Sequence, residues 1–189
     1  SMQGETIEKR SFLLAAVNAK YIHSNPAIYS LKAYAGQELQ RFVELAEYTI
    51  NQPMREILTD IYTKRPEAVG FSCYIWNRRL IGELVTELPK LLPGTDIWLG
   101  GPEASCNATE LLDRYPQITG IMAGEGEGTF RELLKHYVEK WEKEQESGAW
   151  IQEQGAAREK RKGFERGQVF GEDEDLRAIP GLCLRSGNT

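Results

Sequence analysis

The sequence predicts an α/β fold, a doubly wound five-stranded parallel sheet with helices on both faces. Three observations carry that prediction. Apolar runs alternate with helical patterns five times between Ser11 and Glu144, which is the rhythm of consecutive βα units. The second run is polar and alternating, as an edge strand is, while the first, third and fourth are continuously apolar and suit buried positions. The last two runs end in glycine-centred loops that open into helices, Ile97-Trp98-Leu99-Gly100-Gly101-Pro102-Glu103 and Gly120 to Thr129 followed by Phe130-Arg131-Glu132-Leu133-Leu134. Glycine at such turns tolerates positive φ and lets backbone N–H groups approach a ligand closely.

The elements follow in order. Ser11 to Ala19 is the first strand, and a helix runs from about Pro26 to Leu39, its proline suited to a first turn whose N–H has no partner. Phe42 to Ile50 is the edge strand, and the helix from about Pro53 to Lys64 is ended by Arg65-Pro66. Ala68 to Cys73 is a short central strand. The helix from Asn77 to Leu92 places Leu80, Ile81, Leu84, Leu88 and Leu91 on one stripe, and Pro93-Gly94 stops it. Thr95 to Leu99, Ala104 to Tyr115, Ile118 to Ala123 and Gly128 to about Glu144 complete the pattern as strand, helix, strand and helix. The polarity of the strands fits the flavodoxin-like order 2-1-3-4-5, whose switch point lies between strands one and three.

Residues 11–138 are thus expected to form one Rossmann-like domain, and residues 139–189 a charged linker and an exit strand. From Glu139 to Asp175 Lys, Glu, Gln and Gly dominate, the composition of a solvated helix or linker, with Trp141 and Trp150 as the candidates to pack it back. Ile179-Pro180-Gly181-Leu182-Cys183-Leu184-Arg185 reads as a final short strand whose partner is expected to lie beyond the chain.

Bulk properties exclude several classes. A net charge of −5 argues against a nucleic-acid surface, which needs a basic field. No run approaches the roughly 18 apolar residues of a membrane span, and the N-terminus carries no signal-peptide pattern, Ser1 before Met2 being read as an expression scar. The 3 cysteines, Cys73, Cys106 and Cys183, are scattered without a CxxC pair, which suits a reducing cytoplasm and offers no iron–sulfur ligand set.

In this fold ligands bind beyond the carboxyl ends of the strands. The loops there are Asn18 to Asn25, Ser72 to Asn77, Gly100 to Ser105 and Gly124 to Thr129. They hold small residues, hydroxyls and backbone donors, with no Ser/His/Asp set. A P-loop lysine is missing after Gly124 to Thr129, a dinucleotide fingerprint is missing after strand one, and Cys73-Tyr74 stands where a phosphoacceptor aspartate would be. What remains is a ligand gripped by backbone and small side chains. Glu125 and Glu127 suit either a ligand contact or the positive end of the helix dipole. Cys73 suits either a ligand contact or a small buried hydrophobe.

The strings Val69-Gly70-Phe71-Ser72-Cys73, Leu99-Gly100-Gly101-Pro102-Glu103 and Ala123-Gly124-Glu125-Gly126-Glu127-Gly128-Thr129, with Glu132-Leu133-Leu134 after them, resemble the cobalamin-binding domain that precedes many radical SAM cores. Ile179-Pro180-Gly181-Leu182 is similar to that family's exit strand into the catalytic barrel, and the family includes proteins named as anaerobic magnesium-protoporphyrin monomethyl ester cyclases. The resemblance implies a cobalamin-binding fragment that is not catalytic in isolation. It implies a radical SAM domain in cis, of cyclase or methyltransferase type, bringing S-adenosylmethionine and a [4Fe-4S] cluster. It places Asn18, Ser72, Cys73 and Tyr74 at the cofactor, Ser72 and Cys73 flanking the nucleotide tail. Gly100 and Gly101, with Pro102 and Glu103, make room beside strand four, and Gly124, Glu125, Gly126, Glu127 and Thr129 meet the base or the corrin amides.

The chain departs from the familiar base-off motif Asp-x-His-x-x-Gly. Tyr21 stands two before His23 and Pro26 three after it, so no carboxylate orients the imidazole and His23 is not expected to ligate cobalt. Two other classes share the fold, a flavin- or nucleotide-binding regulatory module and a protein-interaction domain whose glycine loops are only turns. Corrinoid binding separates them.

Overall fold

The computed structural model describes residues 10–20, 25–147 and 174–185. Strands β1 (Phe12–Asn18), β2 (Val43–Thr49), β3 (Ala68–Ser72), β4 (Asp96–Gly100) and β5 (Gly120–Met122) are parallel, and β6 (Leu182–Cys183) pairs antiparallel with β5, giving the order β2-β1-β3-β4-β5-β6. The expected order of five strands holds, but the sheet has six. The closing segment adds to this domain's own edge, because Ile121 and Met122 register against Cys183 and Leu182 and leave that edge paired.

Helices α1 (Pro26–Tyr34), α2 (Met54–Lys64), α3 (Arg78–Leu91), α4 (Pro102–Cys106), α5 (Ala108–Arg114), α6 (Glu127–Glu146) and α7 (Glu174–Arg177) cover the sheet. Asn25 caps α1 by accepting from the Ala27 N–H at 3.0 Å, a contact worth about 1 kcal/mol. Helix α1 stops at Tyr34, short of the expected Leu39, because the chain turns at Gly36 with φ 89°. Arg65 takes the left-handed conformation after α2 (φ 47°) before Pro66, the expected stop.

The helix expected over Ala104 to Tyr115 is broken in two. It starts earlier, at Pro102, and kinks at Asn107 (φ −126°), whose side-chain amide donates to the Glu103 carbonyl at 3.3 Å and to its carboxylate at 3.1 Å. A side chain that binds its own upstream backbone competes with helix continuation. Strand β5 is shorter than the expected Ile118 to Ala123 because Thr119 turns its hydroxyl to accept from the Ile97 N–H (3.0 Å). Helix α6 runs past the start of the charge run, and Trp141 is buried against Phe42 and Tyr137; Trp150 lies outside the described residues.

The sheet buries both faces, in two clusters that follow the period-two alternation of the strands. Leu13, Ala15, Val17, Val69, Phe71, Ile97 and Leu99 pack against α2, α3 and α5. Phe12, Leu14, Ala16, Ala68, Trp98 and Met122 face α1, α6 and Leu176 of α7. On that second face Trp98 Nε1 donates to the Tyr137 hydroxyl (2.9 Å), which donates to Asp96 (2.6 Å), so the buried polar atoms of the aromatic cluster are satisfied. No helix among the described residues is long and apolar enough to cross a membrane.

Candidate cofactor-binding site

A cavity of about 770 Å³ opens at the carboxyl edge of the sheet, between α1 on one side and the loop that enters α6 on the other. Its origin lies in the alternation of the strands. On the α1/α6 face Leu14 registers with Gly70, and Ser72 with Gly100, so three strand positions near the edge carry little or no side chain. A helix packed on such a face leaves volume above it. The floor is Leu14, Gly70 and Met122, and a Cβ on Gly70 would come within 3.3 Å of Leu14 and Phe12. One wall is α1, through Pro26, Ala27, Ser30 and Leu31. The other is Gly100, Gly101, Pro102 and Ser105, with Gly124 to Glu127 at the mouth.

The candidate residues divide between those that line this cavity and those that hold its lining in place. Ser72, Tyr74, Gly100, Gly101, Pro102, Gly124, Glu125, Gly126 and Glu127 line it. Gly100 leaves usable room, since a Cβ there would meet nothing nearer than Met122 at 3.8 Å. The space left by Gly101 is taken by the protein itself, because a Cβ would lie 2.7 Å from the Cys73 carbonyl oxygen. Cys73 is buried, its N–H donating to the Gly100 carbonyl (2.8 Å) and its carbonyl accepting from the Glu103 N–H (3.2 Å). Burial, aided by the charge of Glu103, pushes its thiol up to about 11, so it remains protonated.

Glu103 is engaged by Arg78 at 2.8 Å, and Arg78 also reaches Glu110 at 2.6 Å. Asn18 is buried and donates to Glu47 at 3.4 Å; Glu47 also accepts from the Asn25 N–H (2.6 Å) and the Tyr29 hydroxyl (3.0 Å). That carboxylate therefore ties β1 and β2 to the start of α1, the cavity wall. Thr129 donates to the Pro180 carbonyl at 2.7 Å. His23 lies outside the described residues.

Residues that the motif strings do not single out complete the site. Asn77 is buried, accepts from the Tyr74 N–H (2.7 Å) and donates to the carbonyls of Val17 and Ser72 (each 3.1 Å), locking the loop after β3 to the ends of two strands. Ser105 donates to the Gly101 carbonyl (2.9 Å) and accepts from the Gly124 N–H (3.0 Å), joining the two glycine loops. Gly70 stands within the string Val69 to Cys73, where small residues alternate at positions 70 and 72, whereas the α1 wall leaves no such trace in the sequence. Tyr74 stacks on Trp76 (5.2 Å between centroids, 12° between planes), and the neighbouring Ile75 is exposed.

Chemically the site offers backbone groups, hydroxyls and apolar surface, with Glu125 and Glu127 as its charges. Gly126 caps α6 at φ 81° without a side-chain hydrogen bond, which leaves first-turn N–H groups of that helix to a ligand or to solvent. A cavity of this size lies within the range of about 300–1,000 Å³ typical of small-molecule sites.

Residues 13–134 match the family model of the B12 binding domain. A 2-(S-pantetheinyl)-carbapenam-3-carboxylate methyltransferase of Streptantibioticus cattleyicolor is 30% identical over 122 residues, covering 65% of this chain and 16% of that protein. The cobalamin-dependent radical SAM methyltransferase TokK of Streptomyces tokunonensis is 29% identical over 82 residues, covering 43% of this chain and 12% of that one. Among solved structures, the cobalamin-dependent S-adenosylmethionine radical enzyme OxsB superposes with a TM-score of 0.58 at 21% identity, covering 69% of this chain and 19% of that one. The chain thus spans less than a fifth of the length of these relatives.

Proposed function

The chain belongs to the B12-binding domain family, and from that premise we propose that its cavity holds the nucleotide tail of cobalamin while the corrin rests on the glycine loops at the mouth. The observation that carries this is the run of small positions on the α1/α6 face, Gly70, Ser72 and Gly100, inside the matched segment. The residues present fit the group. A macrocycle fringed with amides needs neutral hydrogen-bond partners and a flat edge, and the lining supplies Ser30, Ser72, Ser105 and exposed backbone.

Bound cobalamin supplies radical or group-carrying chemistry that no side chain here possesses. The protein's own part is to bind and orient it. Leu14 and Met122 on the floor and Leu31 on the α1 wall exclude water, Ser72 and Ser105 offer hydroxyls along the walls, and the loop from Gly124 to Glu127 covers the mouth. Cys73 is protonated and turned into the core, whereas the thiol of Cys106 lines the cavity.

We further propose that the domain serves a radical SAM enzyme, which would contribute S-adenosylmethionine and a [4Fe-4S] cluster from a domain in cis. The names of two relatives, both methyltransferases, support methyl transfer over the cyclase type as the reaction of that larger protein.

Gly100→Val tests the cavity. Gly100 has no positive φ, and two methyl groups would project into open volume beside Met122. Equilibrium dialysis against hydroxocobalamin, FMN and ATP should show retention of hydroxocobalamin alone by the wild type, and at least a tenfold loss in the variant with little change in Tm. Retention of FMN or ATP in place of the corrinoid would transfer the domain to the nucleotide-binding class.

A further inference from the structure

The loop that enters α6 is tied at both ends to one dipeptide near the C-terminus. At its start the Ala123 N–H donates to the Gly181 carbonyl at 2.8 Å, and at its end Thr129 Oγ1 donates to the Pro180 carbonyl at 2.7 Å. Between these two anchors lie Gly124 to Glu127, the residues at the cavity mouth. Gly124 and Gly126 both adopt positive φ (74° and 81°), and the Gly124 N–H donates to the Ser105 hydroxyl at 3.0 Å, so the span is held at its two ends and by that hydroxyl. Glycine-rich backbone has many accessible conformations, and holding it in one costs conformational entropy that its surroundings must offset.

The dipeptide is itself firmly placed. Gly181 has φ 81°, and a Cβ on it would sit 2.5 Å from Thr129 Oγ1, so the turn is shaped to fit against that hydroxyl. Upstream, Leu176 is fully buried in the α1/α6 core. Downstream, β6 pairs with β5, and Arg185 donates to the carbonyls of Leu112 (2.9 Å) and Tyr115 (2.7 Å) and to that of Ile118. The turn is therefore clamped on both sides of the point where it meets the loop.

We propose that the Pro180–Gly181 turn is a brace that holds the loop from Ala123 to Thr129 in its cofactor-binding shape, and that Thr129 is a positioning residue acting through it. This rests on the assignment of that loop to cobalamin. It gives the segment after the charged extension a role in the site, and it couples the position of the C-terminal strand to the strength of cofactor binding. Anything that pulls residues 179–185 away from β5 loosens the mouth of the cavity.

The test uses the 189-residue chain with Thr129→Val, Thr129→Ser and Gly181→Ala. Two quantities are read, the dissociation constant of hydroxocobalamin by equilibrium dialysis and hydrogen exchange of the backbone amides of residues 123–128 without ligand. Thr129→Val should weaken binding about five- to tenfold, the scale of one lost hydrogen bond, and speed exchange in that segment while β1 and β3 stay protected. Thr129→Ser should restore both, and Gly181→Ala should behave like the valine variant. Wild-type affinity and exchange in Thr129→Val would overturn the brace, as would a serine variant as weak as valine. Exchange that rises throughout the sheet in both Thr129→Val and Gly181→Ala would also overturn it, since the contact would then hold the fold. A wild type that retains no hydroxocobalamin would sink the functional assignment, and local exchange alone would then decide the brace.

Discussion

Gly101 presses its α-carbon against the main chain of Cys73, with φ 90° and ψ 174°, and a Cβ there would lie 2.7 Å from the Cys73 oxygen and 3.0 Å from its nitrogen. The pair joins the end of β4 to the loop after β3, and only glycine fits. Backbone of that kind costs a residue with a side chain about 1–3 kcal/mol before any collision is counted. Gly101→Ala should therefore lower stability by at least that amount in urea denaturation. Gly126→Ala, whose Cβ would meet only Leu31 at 3.8 Å, should lose less, although its φ of 81° also carries strain. Equal losses in the two variants would mean that the contact with Cys73 is unimportant.

The cysteines should separate by reactivity. Cys106 is exposed and lines the cavity, whereas Cys73 is buried with its thiol raised to about 11. With iodoacetamide at about pH 8, Cys106 should be alkylated and Cys73 spared, because the thiolate is the reactive form. Hydroxocobalamin should slow the labelling of Cys106, as read by mass spectrometry of the tryptic peptides. Labelling of Cys106 at the same rate with and without corrinoid would place the ligand elsewhere. The sign of the linkage also follows: the folded value of Cys73 lies above the ordinary 9.0, so stability is full below pH 9 and declines as pH rises towards 11.

An acid-side effect should trace to Asp60. The Tyr48 hydroxyl donates to it at 2.5 Å, and Lys64 at 3.2 Å, and these donors hold its carboxyl below the usual range. A depressed folded value contributes stability that is present at neutral pH and is lost as pH falls through it, below about 4. Asp60 is 43% exposed at its side chain, so the contribution is small, under about 1 kcal/mol. Asp60→Asn should lower Tm slightly at pH 7 and leave it unchanged at pH 2.5; an equal loss at both would show that the hydrogen bond acts without charge.

Arg185 should anchor the C-terminal strand. It donates to three carbonyls in the last turn of α5 and the connection to β5, those of Leu112, Tyr115 and Ile118. Arg185→Ala is expected to cost about 1.5–3 kcal/mol in thermal denaturation, as for a charged hydrogen-bond donor. Arg185→Lys should recover only part, because an ammonium group does not present the fork of a guanidinium. Full recovery by lysine would show that charge alone matters.

The sequence by itself determined the local grammar of this protein. The βα order, the stop at Arg65-Pro66, the polar edge strand β2 and the two glycine loops at one end of the sheet are written in neighbouring residues, because periodicity and turn chemistry act over a few positions. Ser72, Gly100 and the segment Gly124 to Glu127 were legible as residues of the cavity edge for the same reason, since a loop after a buried strand must open at the carboxyl edge. Which face carries the cavity was decided only by the tertiary structure, when register set Gly70 beside Leu14 and Ser72 beside Gly100 beneath α1. The two adjacent glycines look alike in sequence, yet the space beside Gly100 is open and that beside Gly101 is filled by Cys73, a neighbour 28 residues away. The closing strand was legible within Ile179 to Arg185, but its partner was not, since Leu182 and Cys183 pair with Met122 and Ile121 some 60 residues earlier. A side chain's pattern records whether it is buried, but what buries it is settled by contacts between distant parts of the chain.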